Sequence, residues 1–138
     1  MPKALICENT LELQKNLALS LKAINIDSIT PISLEDALRA LETEDISIVI
    51  INENFANQTL SKNRIIQWIT NLPMYRRRDI MLIITGENLK TLDRLTAFAK
   101  NADLIINTKD LSNFYSIFKI GYLEYQSTYK QYKQLLSK

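Results

Sequence analysis

Four polar groups interrupt the apolar runs of this 138-residue sequence where chemistry is expected: Glu8-Asn9, Asn52-Glu53, Thr85-Gly86 and Lys109. Thr85 and Lys109 together suit an anion or a nucleotide phosphate, with the hydroxyl and the ammonium as donors. Alternatively, Lys109 pairs with Glu8 or Glu53 and fills the space itself. Catalysis is poorly served: there is no histidine and only one cysteine, so the commonest general base and the usual metal ligands are missing. Asn52 is an amide, which is no nucleophile at neutral pH. Cys7 lies one step inside an apolar run and reads as a buried structural thiol. Neither an enzyme nor a metal or cofactor site is expected.

Whether these groups meet depends on the elements beneath them. The chain is organised around Ile46 to Asn52, a β-branched run too short for an ordinary helix and typical of a strand covered on both faces. Ala4 to Cys7 is a shorter strand, followed by a helix with Leu11, Leu13, Leu17, Leu21 and Ile24 on one side and Asn9 or Thr10 as its cap. Residues 28–32 form a second strand, placed at a sheet edge by Pro31, which cannot donate to a ladder. Ser33 to Asp36 caps a second helix to about Glu42.

A loop from Glu53 to Thr59 leads to a third helix, Leu60 to Leu72, ended by Pro73. Ile80 to Ile84 is a fourth strand, and Asn88 to Lys100 a fourth helix with Leu92, Leu95, Phe98 and Ala99 inward. Ala102 to Ile106 is a fifth strand, and the last helix runs from Ser112 to about Leu136. Strand and helix alternate five times, which makes the sheet parallel and the fold a three-layer α/β/α sandwich. Strand order 2-1-3-4-5 puts the proline strand outermost, as in flavodoxin-like folds, and gathers the four polar groups past the carboxyl edge.

Composition agrees with one compact domain: 46% of residues are hydrophobic and 23% charged. A formal charge of +2 is too small to imply nucleic acid or a membrane surface. The short N-terminal apolar run lacks the length of a signal sequence or a membrane span, so a cytoplasmic, reduced setting is expected.

The ends Ile83-Ile84-Thr85-Gly86 and Ala102-Asp-Leu-Ile-Ile-Asn-Thr-Lys109, with the matching helix lengths, resemble the receiver domain of bacterial two-component response regulators over residues 3–123. The resemblance implies a strand-one acid pair holding magnesium, a phosphorylated aspartate ending strand three, Thr or Ser ending strand four, and lysine ending strand five. Here Asn52 stands at the phosphoacceptor, Glu8 with Asn9 at the acid pair, Asp110 at the usual proline and Ile106 at the usual switching aromatic. These departures resemble the pseudo-receiver branch, which keeps the scaffold and loses phosphorylation. Glu53 as a substitute acceptor is disfavoured, because neighbours at a strand end point to opposite faces.

Two features lie outside the pocket. Met74-Tyr-Arg-Arg-Arg78 reads as a solvated turn, with gripping of an acidic partner or phosphate as the alternative. In the last helix Tyr115, Phe118, Tyr122, Tyr125, Tyr129 and Tyr132 recur at steps of three and four, a seam suited to docking on a second helix in a dimer or a partner protein. The expected organisation is a pseudo-receiver domain over 1–123 and a helix extension over 124–138. Its expected role is signalling through protein partners of the late helices, without phosphorylation. A small-anion or nucleotide sensor built on Lys109 and Thr85 is the alternative.

Overall fold

In the computed structural model five parallel strands form one sheet of order β2-β1-β3-β4-β5, as the alternation of elements requires. The structure describes residues 3–55, 64–77, 79–100 and 102–136, side chains excepted at 74, 75 and 128–136. The strands are β1 (Lys3–Cys7), β2 (Asp27–Ile29), β3 (Ile46–Asn52), β4 (Met81–Gly86) and β5 (Leu104–Asn107). The helices are α1 (Leu11–Lys22), α2 (Leu34–Thr43), α3 (Arg64–Thr70), α4 (Met74–Arg77), α5 (Arg94–Ala99) and α6 (Phe114–Leu136). A 3-10 helix, Thr108–Asn113, leads into α6.

The sheet separates two apolar layers. Leu5, Val49, Ile51, Leu82, Ile84 and Ile105 face α2, α3 and α5, while Ile6, Ile50, Ile83 and Ile106 face α1 and α6. This is why β3 is apolar at nearly every position: neither of its faces meets water. Thr10 caps α1, accepting from the Leu13 amide, and Ser33 caps α2, accepting from that of Asp36. β2 ends at Ile29, two residues short of Pro31, and is an edge strand. Gly121 allows α6 to lie against the sheet: a Cβ there would stand 2.8 Å from both methyl carbons of buried Leu104.

Three expectations need correction. The fourth expected helix does not begin at Asn88, because the backbone folds back first. Leu92 has φ 64 and its N–H donates to the Ile105 carbonyl, so helix geometry starts only after Asp93, the cap of α5. The later start turns the helix: Ala97 faces the core, while Leu95 and Phe98, expected inward, are 84% and 85% exposed. Second, the expected arginine turn contains the short helix α4, and Arg77 is buried rather than solvated. Its guanidinium lies 3.2 Å from Asp103 and donates to the Ile80 carbonyl at 2.6 Å. Arg78, and residues 56–63 of the expected loop and third helix, lie outside the described residues. Third, the aromatic seam is partly internal among the described side chains. Phe114 and Phe118 are core residues, Tyr125 packs partly on the same cluster, and Phe114, Phe118 and Tyr122 stack in series along the helix. Phe118 therefore cannot dock a partner, and Tyr115 and Tyr122 are the exposed members among the described side chains. The side chains of Tyr129 and Tyr132 lie outside them.

Candidate functional site

The carboxyl edge of the sheet carries a polar row set by strand register. Asn52 stands opposite Thr85, and Thr85 opposite Ile106. Cys7 pairs with Ile51, so Glu8, the next residue, comes beside Asn52. Side chains alternate along strands, so Glu8, Asn52 and Thr85 all point to the α1/α6 side of the sheet. Both Glu8 oxygens are engaged: Oε1 accepts from the Thr85 hydroxyl and Oε2 from the Asn52 amide at 3.0 Å. Asn52 completes itself by accepting from the Asn54 amide at 2.9 Å.

This carboxyl is sealed. Glu8 is 1% exposed, and no described cation pairs with it. Burial raises its pKa, and the hydrogen bonds from Thr85 and Asn52 pull the other way without cancelling that effect. Burial also raises the neighbouring Cys7 thiol, with Glu8 adding to the shift, so Cys7 stays protonated and inert. A hydroxyl beside a carboxylate has the form of a nucleophile with its base. Thr85, however, is wholly buried, so no substrate reaches it.

The magnesium that the receiver resemblance implies does not fit these residues. Each Glu8 oxygen already accepts one hydrogen bond, Asn52 turns an NH2 group towards it, and the Asn9 amide donates to the Asn54 carbonyl at 3.2 Å. A hard cation at such a site asks for carboxylate oxygens, and the row offers one carboxyl, already bonded twice. Among the described residues no group of three His, Cys, Asp or Glu side chains is arranged to hold a metal ion.

The remaining expected site residues are dispersed. Asn9 ties the loop after β1 to the loop after β3. Glu53 continues the ladder, donating its N–H to the Thr85 carbonyl at 2.8 Å, and its side chain lies over Gly86. A Cβ at Gly86 would stand 2.6 Å from the Glu53 Cδ, so the close approach depends on that glycine. Lys109 is a correction: it is exposed, makes no ion pair among the described residues, and reaches neither Glu8 nor Glu53. β5 ends at Asn107, whose side chain accepts from the Lys109 amide and starts the 3-10 turn that contains the lysine.

Asn107 takes the place at the end of β5 that Lys109 was expected to fill. Its amide donates to the carbonyls of Glu87 at 3.0 Å and Leu89 at 2.6 Å, and its N–H donates to the Thr91 hydroxyl at 2.9 Å. Thr91 in turn donates to Asp110. The loop after β4 is thereby fastened to the end of β5. The signal was present in the sequence, because asparagine is among the strongest helix-capping residues.

No protein-family model matches the sequence, and no curated protein does. Among solved structures the chain is similar to a CheY-like response regulator receiver domain from Methylobacillus flagellatus, with 18% identity, a TM-score of 0.63, and 88% of this chain and 98% of that one covered. An orphan response regulator of H. pylori gives 13% identity and a TM-score of 0.62 over 86% of this chain and 94% of the other. A receiver domain protein from Clostridium thermocellum gives 17% identity and a TM-score of 0.61 over 95% and 98%. The chain thus has the fold of response regulator receiver domains.

Proposed function

We propose that this chain is a pseudo-receiver: a cytoplasmic signalling module, not an enzyme, that acts through protein contacts of its late helices and accepts no phosphate. The observation that carries the reading is the Glu8–Asn52–Thr85 row. At the place where a receiver keeps its phosphorylated aspartate there is an amide, and that amide is bonded to the acid that would otherwise bind metal. The Thr85 hydroxyl is committed to the same carboxyl, which weakens the reading as an anion or nucleotide sensor that needs it as a donor. Among the described residues no helix is long and apolar enough to cross a membrane.

The test is incubation with acetyl phosphate and magnesium, followed by intact-mass measurement. No added phosphate is expected. Stoichiometric labelling that disappears in Asn52→Ala or Glu53→Ala would overturn the reading.

The outer part of α6 extends the module. In sequence its Tyr129, Tyr132 and Leu136 continue the three-four spacing of the core-facing stripe. Its proposed role is helix-on-helix association. Light scattering at about 100 micromolar, a concentration that detects roughly −5.5 kcal/mol of association, is the check. A full chain of monomer mass there, unchanged when the chain is ended at Ser127, would rule out a homodimer built this way.

A further inference from the structure

The stripe of α6 that faces the core runs on past the core. Phe114 and Phe118 are buried under the sheet, and Gly121 lies against Leu104, the first residue of β5. Register puts Ile83 level with Leu104 and Ile48 level with Met81. β4 begins two residues before Ile83 and β3 two residues before Ile48, so the sheet reaches four residues, about 13 Å, below Leu104. From Gly121 to Leu136 the helix advances about 22 Å, which carries roughly its last 9 Å beyond every described strand. At 3.6 residues per turn Tyr125, Tyr129, Tyr132 and Leu136 fall within about 60° of one another, on the side of Phe114 and Phe118 and away from Ile120 and Leu123. Tyr125 still packs partly on the core cluster. A pattern suited to burial thus continues where no described strand is left to cover it.

The charge of this end selects what covers it. Beyond Glu124, which pairs with Arg94, the sequence holds Lys130, Lys133 and Lys138 and no Asp or Glu. On the helix Lys133 falls beside the stripe, about 40° from Tyr129, and Lys130 about 60° farther round. A second copy laid alongside would set tyrosine against tyrosine and bring the same lysines with no acid to meet them, and like charges at such spacing oppose association. A helix rich in carboxylates supplies both the opposite charge and acceptors for the tyrosine O–H groups.

We propose that the outer turns of α6, residues 125–136, dock an acidic amphipathic helix of a partner protein. Its apolar residues cover Tyr129, Tyr132 and Leu136, and its carboxylates meet Lys130 and Lys133 at the flank of the stripe. This assignment rests on the proposed helix-on-helix role of α6 and adds the chemistry of the second helix. The apolar seam supplies most of the affinity, and the lysines supply the choice of partner and the salt dependence.

The experiment is an NMR titration of the full chain with two synthetic helical peptides. They share a leucine seam at three-four spacing, flanked by glutamate in one and by lysine in the other. The acidic peptide is expected to shift amides of residues 125–136, to bind more weakly as salt is added, and to lose about tenfold or more in affinity against a Tyr129→Ser, Tyr132→Ser chain. A Lys130→Gln, Lys133→Gln chain keeps the seam and is expected to lose about two- to fivefold in affinity for the acidic peptide. Equal binding of both peptides, or an affinity unchanged in the lysine variant, would overturn the acidic partner while keeping the helix-docking role. Concentration-dependent broadening of amides 125–136 in the chain alone would do the same and assign the stripe to a second copy. Absence of shifts at millimolar peptide, or shifts confined to other residues, would overturn both. So would a response of these amides to phosphatidylglycerol vesicles without one to the peptide, which would assign the helix to a lipid surface. No phosphoryl donor is used, so phosphate labelling tests the pseudo-receiver reading separately from any result of this titration.

Discussion

Asp103→Ala is expected to destabilise the domain by about 3–5 kcal/mol, the cost of leaving a buried charge without its partner. Asp103 stands at the amino end of β5, on the far side of the sheet from the polar row. One carboxylate oxygen accepts from the Arg77 guanidinium at 3.2 Å and from the Leu82 amide at 2.8 Å. Both side chains are about nine-tenths buried, and Arg77 also donates to the Ile80 carbonyl. One carboxylate thus joins α4, the start of β4 and the start of β5. Its removal takes the carboxylate away from a buried guanidinium and leaves a strand N–H without that acceptor, whereas a surface pair such as Arg39 with Asp36 would cost under about 1 kcal/mol. Asp103→Asn keeps an acceptor for Leu82 and should cost roughly half as much. Urea unfolding checks this: the midpoint should fall with the slope unchanged, and thermal unfolding should drop by roughly 10 °C. If Asp103→Ala and Arg77→Ala each cost under about 1 kcal/mol and their effects add, the pair does not brace the sheet.

The same pair marks a limit of sequence reading. The strands were legible because a two-faced buried strand needs continuous apolar residues; the edge place expected for the second strand holds, although Pro31 lies beyond its end at Ile29 and takes no part in the ladder. Arg77 was not legible: three successive arginines resemble a solvated turn, and only a carboxylate 26 positions along the chain makes one of them a core residue. The helix expected from Asn88 failed for the same reason. Its spacing of Leu92, Leu95, Phe98 and Ala99 is helical, but Asn107 holds the carbonyls of Glu87 and Leu89, and Ile105 holds the Leu92 amide. These long-range bonds delay the helix start and rotate two apolar side chains outward. In the pocket, Glu8, Asn52 and Thr85 come together as strand order implies, because register alone decides their meeting. Lys109 does not, since its position depends on the Asn107 cap just before it.

Stability should fall as pH rises through the titration of Glu8, and Glu8→Gln should abolish that fall. The folded-state pKa of Glu8 is raised by burial above the ordinary carboxylate value of 4.5, while in the unfolded chain it returns to that value. Below the unfolded value both states hold the proton, and the group costs nothing. Between the two values the unfolded chain ionises first, and above the folded value the domain carries the full cost of a buried carboxylate that its two hydrogen bonds offset only in part. The side-chain amide introduced by Glu8→Gln would keep an acceptor for one donor, and Thr85 can reverse its hydroxyl to accept from the new NH2 group. The Glu8→Gln variant is therefore expected to match the parent in mild acid and to exceed it at neutral pH, with the gap growing through the titration and then staying level. Glu8→Ala behaves oppositely in acid. It leaves the Thr85 hydroxyl and the Asn52 amide as buried donors with no acceptor, at about 1–3 kcal/mol each. Denaturant midpoints of the three proteins over roughly pH 4–9, a span that brackets the range recorded for buried carboxyls, distinguish these outcomes. Parallel curves for the parent and Glu8→Gln would mean that Glu8 gives up its proton as readily in the folded domain as in the unfolded chain. The row would then hold an ordinary carboxylate, rather than an acid that the fold holds against its own chemistry.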